Sequence, residues 1–258
     1  MSLPVLMYHS VDGPLPARLA DLVVKAAELD EHLSALVADG WAPVGLTEAL
    51  ARPGDRVVAL TFDDGFTDFL DTALPVLERH GARSTLYVPT RDLGGHASWL
   101  PDCGDLALLD AAGVAEVARR GQEVGSHGAR HVPMDVLPAA VADAHLRESR
   151  RVLEDVTGRP VRSFCYPHGY QSPRLRRLVR RAGYLNACAI GHRTSPPGED
   201  PWALSRLMVT PGTRGADLVG LVRRGRPGGP APALKRLAAP AWRATRRTVR
   251  ATTGATWT

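Results

Sequence analysis

The sequence predicts an α/β protein in which βα units surround a parallel sheet or barrel. Short apolar runs of strand length, such as Val57-Val58-Ala59-Leu60, alternate with stretches of helical period, and glycine closes one helical stretch after another. In order, Val5 to Tyr8 reads as a first strand ending at His9-Ser10. Glu28 to Ala38 places Leu29, Leu33, Leu36 and Val37 at helical spacing and stops at Asp39-Gly40. Val57 to Leu60 is a strand bounded by Pro53-Gly54-Asp55. Thr72 to His80 is helical up to Gly81, and Ser84 to Val88 is the next strand. A helix over Leu106 to Arg120 closes at Gly121, followed by a short strand from Glu123 to Ser126. A long helix is expected over Val136 to Val156, then a strand over Val161 to Tyr166. Pro173 to Arg181 is a helix ending at Ala182-Gly183, and Leu185 to Ile190 and Leu204 to Val209 are the last strands.

The chain has 258 residues, 44% hydrophobic and 23% charged, which suits a folded globular protein with a real core. No apolar stretch approaches the roughly 18 residues of a spanning helix, which excludes an integral membrane protein of that kind. Met1 runs directly into Pro4-Val5-Leu6-Met7-Tyr8 without a basic n-region or cleavage site, so the expectation is a protein without a secretory leader. Cys103, Cys165 and Cys188 are odd in number and lack C-x-x-C spacing, which argues against a disulfide framework and a cysteine zinc site and for a reducing, cytoplasmic setting.

The net charge of +5 is unevenly placed. Nine of the 32 basic residues and none of the 27 acidic ones lie from Arg223 onward, so the body is mildly acidic and the tail strongly basic. The expected organisation is a catalytic domain over 1–222 and, over 223–258, a Pro/Gly linker (Arg226 to Pro232) with a basic tail. In that tail Leu237, Ala238, Ala241, Trp242, Thr245 and Val249 alternate with Lys and Arg at helical spacing, interrupted at Pro240. Peripheral contact with an anionic membrane at its inner face is one reading; a tail without structure or docked on the acidic body is the other. Nucleic acid is not expected, because the tail has one aromatic among its charges and no recognised fold.

Two places carry chemistry. Asp63 and Asp64 follow directly on the strand Val57–Leu60, at the end where parallel-strand enzymes place their sites, and adjacent residues there point in different directions. One can bind a metal while the other faces substrate, although Asp-Asp-Gly is also a common turn. His127 and His131 again come just after a short strand, Glu123 to Ser126, and a spacing of four sets two imidazoles on one side of a helical turn. With a carboxylate they make a two-His-one-carboxylate set that leaves room for water and substrate.

Leu6-Met7-Tyr8-His9-Ser10-Val11, Thr61-Phe62-Asp63-Asp64-Gly65, Ser126-His127-Gly128-Ala129-Arg130-His131 and Phe164-Cys165-Tyr166-Pro167-His168-Gly169 occur in that order. Together, across roughly residues 3–210, they resemble the polysaccharide deacetylase family (the NodB-homology domain, carbohydrate esterase family 4), and several motifs in register are far more specific than one. The resemblance implies a distorted (β/α)7 barrel and metal-dependent N-deacetylation of an N-acetylated amino sugar in a glycan or its precursor. It implies Asp63 as general base, Asp64, His127 and His131 as metal ligands, and a backbone N–H at His168 that helps stabilise the oxyanion. Zinc is the first expectation for the ion, and cobalt, nickel and iron suit the same ligands.

The sequence departs from the family pattern at three places. Many members carry Arg where Cys165 stands, to orient the base, and Arg206 near a late strand is the expected replacement. Many carry Tyr where His168 stands. A late Leu-x-His segment that supplies the general acid is absent, which leaves His9, His168 and His192 as candidates. Tyr166, Pro167, Gly169 and Trp99 are expected on the substrate side; for Trp99 and Tyr166 the alternative is packing in the interior. Two rival functions use the same residues: deacetylation of a small biosynthetic N-acetyl glycoside or another linear amide, and glycan binding without catalysis.

Overall fold

The computed structural model describes residues 2–100 and 106–226. The chain runs through β1 (Val5–Tyr8), β2 (Ser10–Val11), β3 (Val23–Val24), α1 (Ala26–Ala38), β4 (Ala42–Val44), α2 (Leu46–Leu50) and β5 (Val57–Phe62). It continues through α3 (Leu74–Arg79), β6 (Thr85–Val88), α4 (Ala111–Arg119), β7 (Glu123–Ser126), α5 (Ala139–Thr157) and β8 (Ser163–Cys165). The remaining elements are α6 (Pro173–Arg181), β9 (Asn186–Cys188), β10 (Leu207–Met208) and α7 (Gly215–Arg224).

Eight parallel strands form the main sheet in the order β10-β1-β5-β6-β7-β8-β9, with β4 beside the start of β5. The sheet curls until its edges meet. Ala189 N–H donates to Leu204 O and Leu204 N–H to Ala187 O, both at 2.9 Å, which ties the β9 edge to the chain just before β10. The architecture is a distorted (β/α)7 barrel.

Strand periodicity sorts the side chains into two layers. Along β5, Val58, Leu60 and Phe62 face the helices, where they join Leu29, Leu33 and Leu36 of α1 in the larger core. Val57 and Ala59 face the barrel interior, with Val5, Tyr87, Cys165 and Cys188 from neighbouring strands. The alternation places the next inward position of β5 at Thr61 and the one after it at Asp63. The same alternation turns Arg206 inward, one residue before the outward Leu207.

Several helix boundaries differ from the sequence expectation. The helix predicted from Leu106 begins at Ala111, because Asp110 caps it by accepting from Gly113 N–H (2.7 Å). The residues before it are extended, bridging Ala107 to His96 and Leu108 to Phe66. Pro138 sets the start of α5, after a 3₁₀ turn over Met134–Val136. The segment predicted as helix from Thr72 is π-type through Ala73 before α3. Helix α7 was not expected; its Arg223 pairs with Asp39 below α1, and its capping Gly225 carbonyl accepts from Thr194 N–H (2.7 Å).

The Pro/Gly linker beyond Arg226, the basic tail and Cys103 lie outside the described residues. Cys165 and Cys188 are buried free thiols. Among the described residues no helix is long and apolar enough to cross a membrane.

Candidate active site

The two adjacent carboxylates are separated by a backbone reversal. Asp63 continues the inward alternation of β5, whereas Asp64 takes φ 75° and Gly65 φ 71°. A left-handed conformation costs a non-glycine residue energy, and such outliers gather at functional sites. Here it turns Asp64 away from Asp63, toward the loop after β7.

His127 and His131 come from that loop. The sequence expectation put them on one helical turn, and this is corrected: residues 127–131 are not helical, and Gly128 at φ 83° bends the chain so that the two rings meet at 4.8 Å. His127 Nδ1 lies 2.8 Å from Cys165 O. A carbonyl only accepts, so Nδ1 carries the hydrogen and Nε2 is the nitrogen available to a ligand.

Nε2 of His127 and of His131 lie 3.4 and 3.3 Å from Asp64 Oδ1. That oxygen is buried and has no hydrogen-bond partner, although a buried carboxylate oxygen ordinarily finds one. One donor atom from each of the three residues lies within 4.8 Å of the others. Edges of about 3.3 Å are those between neighbouring ligands of one cation with bonds of about 2.0–2.2 Å. The donor set thus fits a divalent ion.

Each of the three groups is shifted by its neighbours. Burial pushes the Asp64 carboxyl up, but the flanking imidazoles outweigh it and hold it well below the usual carboxylate range. Burial drives His131 well down, toward the neutral ligand form. On His127 burial also pulls down, and the Asp64 and Asp63 carboxylates outweigh it, so this imidazole is raised.

Asp63 has a different partner. Arg206 is fully buried and forks onto it, Nη1 to Oδ1 and Nη2 to Oδ2, both at 2.7 Å. The other guanidinium donors go to Ala189 O (3.1 Å), Thr61 Oγ1 (3.1 Å) and Cys165 Sγ (3.1 Å). Burial works against the Asp63 carboxylate, yet the guanidinium overrides it and lowers the group below its ordinary value. Cys165 also lies near Asp63 and His127. Burial drives its thiol far up, and Arg206 already supplies the cation there, so that second grouping does not fit a metal.

The remaining expected residues are distributed around this centre. His9, at the end of β1, brings Nε2 to 3.9 Å from Asp63 Oδ2 with 15% of its side chain exposed. Trp99 stacks on His131 with centroids 4.6 Å apart and 25° between planes. His168, at φ 57° in the turn Pro167–Gly169, meets His131 edge-on at 4.4 Å. Pro167 is buried in that turn, and Gly169 (φ 69°) sits where an added Cβ would strike Ile190 at 2.6 Å. Tyr166 takes the packing alternative: it is fully buried, its hydroxyl donates to Trp202 O (2.8 Å), and its ring meets Phe164. His192 lies on the turn after β9 at φ 49°.

Sequence reasoning missed Thr61 and Tyr87, which touch Arg206 from β5 and β6; an inward Thr or Tyr in a strand carries no distinguishing signal. A cavity of about 420 Å³ lies at the opposite ends of the strands, lined among others by Ser84, Gln122, Glu123 and Arg162, and contains none of these residues.

Comparison with known proteins agrees with this geometry. The sequence model of the polysaccharide deacetylase family matches residues 51–187. The putative polysaccharide deacetylase YxkH of Bacillus subtilis (strain 168) is 24% identical over 220 residues, covering 83% of this chain and 74% of that protein. The Streptococcus pyogenes deacetylase PplD, solved in complex with acetate, superposes with a TM-score of 0.74 at 22% identity, over 86% of this chain and 98% of that one. IcaB from Ammonifex degensii gives 0.72 at 23%, over 86% and 97%.

Proposed function

The chain belongs to the polysaccharide deacetylase family, and from that premise we propose that it hydrolyses the N-acetyl group of an amino sugar in a glycan or glycan precursor, using a divalent metal. The observation that carries this reading is the division of labour at the end of β5: Asp64 faces two imidazoles with an unpartnered oxygen, while Asp63 is held by a guanidinium.

Asp64, His127 and His131 would hold the ion, with zinc the first choice for two imidazoles and a carboxylate. When bound, such an ion makes water acidic enough to ionise near neutral pH and polarises a carbonyl oxygen. Asp63, ionised because Arg206 opposes the cost of burial, takes the proton from the water that attacks the acetamide carbon. Its two oxygens stay fixed in direction because both are bound by Arg206. The departing amine needs a proton as the C–N bond breaks. His9 is the residue assigned to give it, since its Nε2 is near Asp63 and its side chain is partly open to solvent. Trp99 and the turn carrying His168 and Gly169 flank His131 and form the wall against which a pyranose ring would rest. The products are acetate and a free amino sugar.

The test is acetate release from N-acetylglucosamine oligomers and from a lipid-linked acetylated sugar, for wild type and Asp63→Ala, with metal content measured in each. Release by wild type that disappears in Asp63→Ala while the metal stays supports both the reaction and the base. Stoichiometric metal with no release from either substrate sends the assignment to smaller N-acetyl compounds, and absence of metal from wild type rejects the metal-dependent hydrolase.

A further inference from the structure

Beneath the Asp63–Arg206 pair lies a buried polar chain that the reaction scheme above does not use. Tyr87 points inward from β6 and is fully buried. Arg206 Cζ lies 5.9 Å from the centroid of its ring, and the His127 ring lies 6.5 Å away at 38°. The same ring therefore borders both the guanidinium that holds Asp63 and one of the imidazoles that face Asp64.

The ring is tethered at its tip. The Tyr87 hydroxyl is 2.6 Å from Ser163 Oγ, and Ser163 gives its only proton to Asn186 Oδ1 (2.6 Å), so the tyrosine is the donor. Asn186 Nδ2 donates to Thr47 Oγ1 (3.3 Å), and Thr47 and Thr85 both donate to the Glu123 carboxylate. Every hydroxyl in this chain thus sends its proton toward Glu123, and a fully connected network of this kind specifies one arrangement of its members.

The ring is also seated from the side. A Cβ added at Gly125 on β7 would stand 2.5 Å from Tyr87 Cδ1 and Cε1. Only glycine leaves the ring its place against that strand.

We propose that Tyr87 is a positioning residue for the deacetylation, its tethered ring forming the floor that keeps the Arg206 guanidinium in register with the Asp63 carboxylate. This rests on the reading of Asp63 as the base. A fork of two parallel N–H···O bonds needs the two planar groups aligned, and a tilt of one breaks a bond and turns the carboxylate. Arg206 has five N–H donors and five acceptors in its plane, so the face of the guanidinium is what an aromatic floor constrains.

The test uses the full chain with its metal content measured, comparing wild type, Tyr87→Phe, Tyr87→Leu and Ser163→Ala. Tyr87→Leu is expected to lose about tenfold or more in kcat with KM within about twofold, because a small misplacement near the reacting groups costs turnover and not substrate contact. Tyr87→Phe, which keeps the ring, is expected to recover most of that loss. The second readout is exchange of the Arg206 Nε proton with water by NMR: slow in wild type, faster in Ser163→Ala and Tyr87→Phe, fastest in Tyr87→Leu. If Tyr87→Leu does not fold, Ser163→Ala and Tyr87→Phe still decide the matter through that resonance. A resonance equally protected in every folded variant, or a lower melting temperature with kcat unchanged, reduces Tyr87 to packing and overturns the proposal. Wild type that releases no acetate removes the deacetylase reading instead, and the Arg206 resonance then tests the tethering by itself.

Discussion

Arg206 and Asp63 lie 143 residues apart and are joined by two 2.7 Å contacts inside the barrel. Neither is exposed to solvent to any extent that would screen them. Replacing Arg206 with leucine leaves a buried carboxylate without its counter-charge, a change that typically costs about 3–5 kcal/mol. The expected outcome is a lower urea midpoint together with loss of acetate release. A variant as stable and as active as wild type would show that the fork is dispensable.

The cation site makes a prediction of its own. Asp64→Ala removes the oxygen faced by both imidazoles, so the purified variant should contain well under one metal per chain where wild type contains about one. Chelation of wild type should lower its melting temperature and abolish acetate release, and added zinc should restore both. Undiminished metal in Asp64→Ala would place the ion elsewhere.

His9→Ala should reduce turnover at least about tenfold while metal content stays constant, if His9 protonates the amine. The distinguishing substrate is an N-acetyl compound whose leaving amine is already a weak base. Such a compound needs less proton donation, so its rate should fall less than that of the sugar. Equal rates in wild type and variant would return His168 to consideration.

Asp68 links stability to pH. Burial raises its carboxyl to about 6, against which hydrogen bonds from Ser10 Oγ (2.5 Å) and the Val11 backbone work to lower it. The unfolded value is near 3.9, so between about pH 4 and pH 6 the folded state binds more protons than the unfolded one. Its contribution to stability is therefore fully present below about pH 4 and is lost as pH rises through about 6. Asp68→Asn removes this dependence. Relative to wild type it should gain on the order of 2 kcal/mol between pH 4 and pH 8, read from urea midpoints at both ends. A constant difference across that range would mean that Asp68 titrates normally in the fold.

Much of the site was legible in the chain because its chemistry is local. Asp63-Asp64-Gly65 follows an apolar strand, and His127 and His131 follow another, so their place at strand ends came from short-range pattern. The order of most strands and helices was readable for the same reason, since period two and period 3.6 are properties of neighbouring residues, whereas the short β2, β3, β4 and α2, and α7, were not read from the sequence. Boundaries set by a single cap, such as Asp110 before α4, were not, because a cap competes with helical propensity on either side of it.

The sequence by itself determined which residue types stand at the ends of the strands and which family of chemistry they serve. The tertiary structure decided the partnerships. Only the pairing of β10 with β1, itself beside β5, brings Arg206 across to Asp63. Only the bend at Gly128 folds His131 onto His127, and only the missing side chain of Gly125 admits Tyr87 beneath the guanidinium. The reason is that periodicity tells each residue which side of its own strand it occupies. What it meets there depends on strand order, register and closure, which are properties of the whole sheet.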